Sequence, residues 1–166
     1  MGLGCYPGDD SQFLQMLGMH GSYEANMAMH DCDLLIAVGA RFDDRITGRL
    51  DKFSPDATVV HIDVDPSSIS KNIKAHIPIV GDVKGVLEKI ASRIISKKRK
   101  PQNIEKWWEQ INEWRKKDSF KYSQDDEIIK PQFVIDRLYE ITKGDAFITS
   151  DVGQHQMWAA QLYNFN

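Results

Sequence analysis

Cysteine is nearly absent: Cys5 and Cys32 are the two in 166 residues, far apart and without metal-ligand spacing. A disulfide framework and a cysteine-rich metal site are thereby excluded, and the pattern fits a reduced, intracellular chain. No apolar run approaches the length of a membrane span. The start, from Met1 to Gly8, has neither a basic region nor a long apolar core, so it does not read as a signal peptide. Excess positive charge is missing too. Lysine and arginine total 21 against 24 acidic residues, a net charge of −3, which gives no electrostatic case for nucleic acid. There are no internal repeats and no low-complexity stretch. The basic run Ser96-Lys97-Lys98-Arg99-Lys100 reads as a helix end complementing its dipole rather than as a targeting signal.

What is present is a series of strands ending in glycine or aspartate. Leu34-Leu35-Ile36-Ala37-Val38 reads as a fully buried parallel strand. It runs into Gly39-Ala40-Arg41-Phe42-Asp43-Asp44-Arg45. A glycine at the carboxyl end of such a strand, followed by dense charge, marks the place where open α/β sheets bind ligands. Arginine and aspartate together can grip phosphate, ribose or carboxylate groups. Alone, the cluster reads equally as a solvated loop with internal ion pairs. Two further strands weigh against that. Residues 58–62 end in Asp63-Val64-Asp65-Pro66, where an acidic residue is placed to take a ribose hydroxyl. Residues 77–80 end in Gly81-Asp82-Val83, and Pro78 predicts an edge strand.

The remaining elements follow from caps and periodicity. Asp10-Ser11 predicts a short helix carrying Phe13, Leu14 and Leu17. Ser22, with Glu24 behind it, predicts a helix to about His30, and Asp82 caps one carrying Val83, Val86, Leu87, Ile90 and Ile94. Pro101 ends that unit. A tryptophan-bearing amphipathic helix starts at Asn103. Residues 115–130 read as a connector, Pro131 opens a helix that stops at Gly144, a strand covers 146–149, and a helix spans about 157–162. Three strands make a poor parallel sheet, because both faces need cover. The expected fold is therefore α/β and partial: a Rossmann-like parallel sheet with flanking helices, then the opening helix–strand–helix of a second α/β domain. The expected boundaries are 1–97, a linker over 98–130, and 131–166.

Residues 17–26 (Leu-Gly-Met-His-Gly-Ser-Tyr-Glu-Ala-Asn), the arginine loop 39–45, His61-Ile62-Asp63-Val64-Asp65, Gly81-Asp82-Val83 and residues 151–161 occur in this order and spacing in one family. The chain resembles the large catalytic subunit of acetolactate synthase, a thiamine-diphosphate-dependent carboligase. The resemblance implies an FAD-binding central domain whose second half is 1–97, and a thiamine-diphosphate-binding domain beginning at 131. It implies that Leu17, Gly18, Met19, His20, Gly39, Ala40, Arg41, Phe42, Asp43, Asp63, Val64, Asp82 and Val83 line FAD. It places Asp44 and Arg45 at the mouth of a substrate and inhibitor channel, and Gln154, His155 and Met157 beside thiamine diphosphate. It also implies Mg2+ held by residues outside this chain, 2-keto acid substrates, a second catalytic subunit, a possible small regulatory subunit and a bacterial cytoplasm, with no nucleic acid or membrane. The reaction implied joins two pyruvates, or pyruvate and 2-ketobutyrate, with loss of CO2 in branched-chain amino-acid biosynthesis. The activating glutamate and the metal ligands are expected elsewhere, so the chain alone is expected to be inactive. Two other readings are a non-catalytic flavin- or nucleotide-binding module and another thiamine enzyme, such as a pyruvate oxidase or decarboxylase.

Overall fold

The computed structural model describes residues 2–98 and 102–165. The chain divides into two compact units: one gathers the chain up to Asn26 and from Asn112 onward, and the other is Met27–Ile111. Met1, Arg99, Lys100 and Pro101, the last three belonging to the expected basic helix end and its stop, lie outside the described residues.

The second unit is built on β1 (Leu34–Val38), β2 (Thr58–Asp63) and β3 (Ile77–Val80), a parallel sheet in the order β1-β2-β3. Leu34 pairs with Thr58 and Val38 with Ile62; Val60 pairs with Ile77 and Asp63 with Val80. All three carboxyl ends thus meet along one edge. Pro78 sits on an edge strand, as its missing N–H requires. The core joins Ala37, Phe42, Phe53, Val59 and Ile73, with Met29, Leu35 and Ile46 packed against it.

The expectation that β1 is fully buried is corrected. Leu34, Ile36 and Val38 are 49%, 54% and 41% exposed, whereas Ala37 is buried. Successive side chains point to opposite faces, so one face of β1 meets the core. The other is uncovered among the described residues. Only β2 is closed on both sides, with Val59, His61 and Ile62 buried.

Caps explain the helix starts. The Ser22 hydroxyl accepts from Ala25 N at 3.1 Å and opens α1 (Tyr23–Asp31). Asp82 accepts from Gly85 N at 3.0 Å and opens α3 (Val83–Ser96). Between β1 and β2 lie α2 (Asp44–Thr47) and a 3-10 turn, Leu50–Lys52. Asn103 accepts from Glu105 N at 2.9 Å before α4 (Glu105–Arg115). Pro131 occupies the first position of α5 (Pro131–Thr142), and Lys143 ends it in the left-handed conformation at φ 51°. Gly85 lies inside α3, and a Cβ there would meet only Asp82 Oδ1, at 3.8 Å. Gly85→Ala is expected to stabilise the chain by about 0.5–1 kcal/mol, through lost freedom of the unfolded backbone. Urea denaturation followed by circular dichroism checks this.

Two other expectations fail locally. No helix forms over 10–17; the Asp10 carboxylate accepts from Gln12 N at 2.7 Å, an Asx turn instead of a helix cap, and Gln15 takes φ 68°. No strand forms over 146–149. A strand requires a ladder partner, and Phe147 there is fully exposed. The last helix, α6 (Gln154–Leu162), begins three residues before the expected 157. Tyr163, just after it, is buried, meeting Tyr139 edge-on at 5.5 Å and Thr142 through hydroxyls 2.7 Å apart. Between α4 and α5, Tyr122 donates to Asp136 at 2.5 Å, which pushes the phenol up to about 12.

Candidate functional site

The carboxyl edge of the sheet carries three loops. After β1, Gly39 N donates to Ile62 O at 2.8 Å, and after β3, Gly81 N donates to Asp63 O at 2.9 Å. These bonds extend the ladders and bring Arg41, Asp63 and Asp82 to one end of one sheet.

The arginine loop is held from behind. Ala40 O lies 2.9 Å from His61 Nε2, and Asn72 Nδ2 donates to Arg41 O at 3.2 Å and to Phe42 O at 2.9 Å. Asp43 O accepts from Ile46 N and Thr47 N, both at 2.9 Å, and from the Thr47 hydroxyl at 3.2 Å. Phe42 takes φ 55°, a conformation costing a non-glycine residue roughly 1–2 kcal/mol. Its ring is buried, edge-on to Phe53 at 5.7 Å and to His61 at 5.0 Å. A buried ring thus anchors a backbone that is otherwise disfavoured.

The loop's charges point outward. Arg41 pairs with Asp43 at 2.8 Å and Arg45 with Asp44 at 2.8 Å, all four side chains at least half exposed. Such exposed pairs contribute at most about 1 kcal/mol, so either guanidinium is free to exchange its partner for a ligand anion. Asp63 is different. Its side chain is 11% exposed, and Oδ1 accepts from Asp65 N at 2.9 Å. Asp65 in turn accepts from the Ser67 amide and hydroxyl, which hold its carboxyl below the usual range. Val64, next along, is exposed. Asp82, besides capping α3, precedes Val83 at the helix N-terminus.

In the first unit, the turn Leu17-Gly18-Met19-His20 is clamped twice. Gly18 N donates to Asn26 Oδ1 at 2.7 Å, and Asn26 Nδ2 donates to Gly18 O at 3.0 Å. Gln161 Nε2 donates to His20 O at 2.8 Å, while the Met19 side chain stays 64% exposed. Gln154 and His155 open α6 and Met157 follows in its first turn; no side chain caps this N-terminus, whose amides favour an anion. Among the described residues, no group of three His, Cys, Asp or Glu side chains is arranged to hold a metal, and no helix is long and apolar enough to cross a membrane.

Asn72 was not singled out from the sequence; His61, Asn26 and Gln161 fall inside the matched motifs but were given no part in fixing the loops. The fixed spacing of the loops marks the loops themselves, but nothing local marks a donor 21 or 31 residues away along the chain.

A parallel sheet whose carboxyl edge collects a backbone-fixed, arginine-bearing loop and the aspartates Asp63 and Asp82 has the layout in which open α/β domains place their ligands. Residues 1–90 match the family model described as "Thiamine pyrophosphate enzyme, central domain", and the chain belongs to that family. Along its whole length it is 53% identical to the acetolactate synthase large subunit of Buchnera aphidicola from Acyrthosiphon pisum. It is 54% identical to the isozyme 3 large subunit of Escherichia coli K12. Over 99% of its length it is 43% identical to acetolactate synthase 1, chloroplastic, of Zea mays. It spans 29% of the length of the two bacterial proteins and 26% of the maize one. The chain thus matches a segment of acetolactate synthase large subunits.

Proposed function

We propose that this chain is the part of an acetolactate synthase that holds FAD and begins the thiamine-diphosphate site. The observation that carries the reading is whole-chain similarity at 53% and 54% identity to bacterial proteins of that name. Residues 1–97 belong to the central domain, 98–130 link, and 131–166 open the cofactor domain.

The fit to FAD rests on the arginine loop. Its carbonyls are satisfied from behind, while Arg41, 75% exposed at its side chain, is available to a diphosphate. Gly39, Ala40, Phe42 and Asp43 supply the rest of that contact. Val64 and the backbone after Asp63 fit a ribose or adenine approach better than the Asp63 carboxylate, already engaged with Asp65 N. Asp82 and Val83 offer a helix N-terminus. Leu17, Gly18, Met19 and His20 are assigned to FAD on the resemblance, as Asp44 and Arg45 are to the substrate channel.

Gln154, His155 and Met157 are assigned to thiamine diphosphate, whose uncapped helix start suits its phosphates. Thiamine diphosphate supplies the electron sink for joining two 2-keto acids with loss of CO2; this chain's residues bind and orient. Mg2+, a second catalytic subunit and a smaller regulatory subunit complete the proposed enzyme, the last because the relatives are called large subunits.

Exchanging the aligned segment of the Escherichia coli isozyme 3 large subunit for this chain tests the reading. The hybrid is expected to bind FAD and to form acetolactate from pyruvate with thiamine diphosphate and Mg2+. A folded hybrid that binds no FAD and makes no acetolactate overturns it.

A further inference from the structure

Two of the donors that fix the arginine loop come from outside it: His61, on β2, and Asn72, in the β2–β3 connection. We propose that His61 and Asn72 are positioning residues that preset the backbone of the Arg41–Asp43 loop for its ligand. The ligand's being a flavin rests on the reading above; the positioning itself does not.

The protonation pattern of His61 follows from its partners. A carbonyl only accepts, so the nitrogen 2.9 Å from Ala40 O carries a proton, and in the neutral ring Nδ1 is then the bare acceptor. Nδ1 is buried and has no hydrogen-bond partner among the described residues, in a side chain with no solvent exposure. Leaving a buried acceptor unmatched is unfavourable, and a phenylalanine would fill the same space without that penalty. What the imidazole adds at this place is therefore its Nε2–H. Asp63 Oδ2 lies 3.9 Å from Nε2, too far to take that hydrogen bond.

Asn72 works from the other side of the bend. It is exposed, yet its amide spans two successive carbonyls on either side of the left-handed Phe42 junction. Together the two residues engage three consecutive peptide oxygens, those of Ala40, Arg41 and Phe42. The Arg41 side chain then projects from a fixed base, and ordering the loop costs less when a ligand binds.

Three variants decide the matter. His61→Phe keeps the volume and removes the donor. His61→Gln restores a donor near the Nε2 position. Asn72→Ala alters an exposed residue and should leave the fold intact. In the full chain, trypsin cleavage after Arg41 is expected to accelerate at least tenfold in His61→Phe and in Asn72→Ala, and to return toward the parent rate in His61→Gln. Nitrogen-15 spectra of the parent are expected to show His61 as the Nε2–H tautomer. In the segment-exchanged enzyme, the Kd for FAD is expected to rise at least tenfold in His61→Phe and Asn72→Ala, again with rescue by His61→Gln. An Nδ1–H tautomer, or cleavage within twofold of the parent in Asn72→Ala, overturns the proposal. So does a His61→Gln variant as loose as His61→Phe. If the parent hybrid binds no FAD, the flavin reading falls, and the cleavage and tautomer results still decide the positioning role.

Discussion

Gly21→Ala is expected to destabilise the first unit strongly. A Cβ at Gly21 would lie 2.4 Å from Met16 O and 2.5 Å from the Cα and carbonyl carbon of Leu17. All three are backbone atoms, so no side chain can turn aside; the chain itself must move. The turn has little room to do so. Gly21 N donates to Gly18 O at 3.0 Å, Ser22 N to Met16 O at 2.9 Å, and the Ser22 hydroxyl to Leu14 O at 2.9 Å. That same hydroxyl caps α1, so shifting residues 16–22 also loosens the helix start. Backbone overpacking of this kind costs roughly 3 kcal/mol or more, a large part of the stability of an ordinary domain. Thermal denaturation of the variant beside Gly85→Ala checks it, since the two changes add the same methyl with opposite expected signs. A Gly21→Ala chain melting within 2 °C of the parent, roughly 1 kcal/mol or less for a chain of this size, would mean that this close approach is not a feature of the folded protein.

The same turn shows what was legible in the sequence and what was not. Ser22, Asp82 and Pro131 announced their helices because capping is a one-residue rule acting within a single turn. The strand series was legible because each apolar run ends in glycine or aspartate, and its parallel pairing followed, though not the order of the strands. Burial was less so. Periodicity says which residues seek cover, and β1 has apolar side chains on both faces, but cover for Leu34, Ile36 and Val38 is a tertiary matter. Pairing failed for residues 146–149 for the same reason, a ladder being a property of two segments. Over 10–17, the aspartate read as a helix cap closes an Asx turn, since the same side-chain acceptor serves both. In the candidate site, the loops were legible and their supports were not: His61 stands at the head of a matched motif but nothing local ties it to Ala40, and Asn72 belongs to no motif.

Gly153→Ala carries the second large effect, on cofactor binding rather than on the fold. Gly153 precedes α6 with φ 158° and ψ −170°, a region that glycine alone readily populates. A Cβ there would stand 2.8 Å from Cε1 and 2.9 Å from Nδ1 of His155. Here the obstacle is the free end of a side chain, so the imidazole can swing away and the helix can survive. Backbone strain on the order of 1–3 kcal/mol remains. If His155 stands by the phosphates of thiamine diphosphate, displacing it from this helix start weakens that contact. The segment-exchanged enzyme carrying Gly153→Ala is then expected to show at least a tenfold higher KM for thiamine diphosphate, with its far-ultraviolet circular dichroism retained. A double-mutant cycle separates ring displacement from backbone strain. In a His155→Ala background there is no ring to displace, so adding Gly153→Ala should raise KM by much less than tenfold. Equal effects in both backgrounds would assign the loss to strain in the backbone. An unchanged KM in the folded single variant would remove His155 from the diphosphate site.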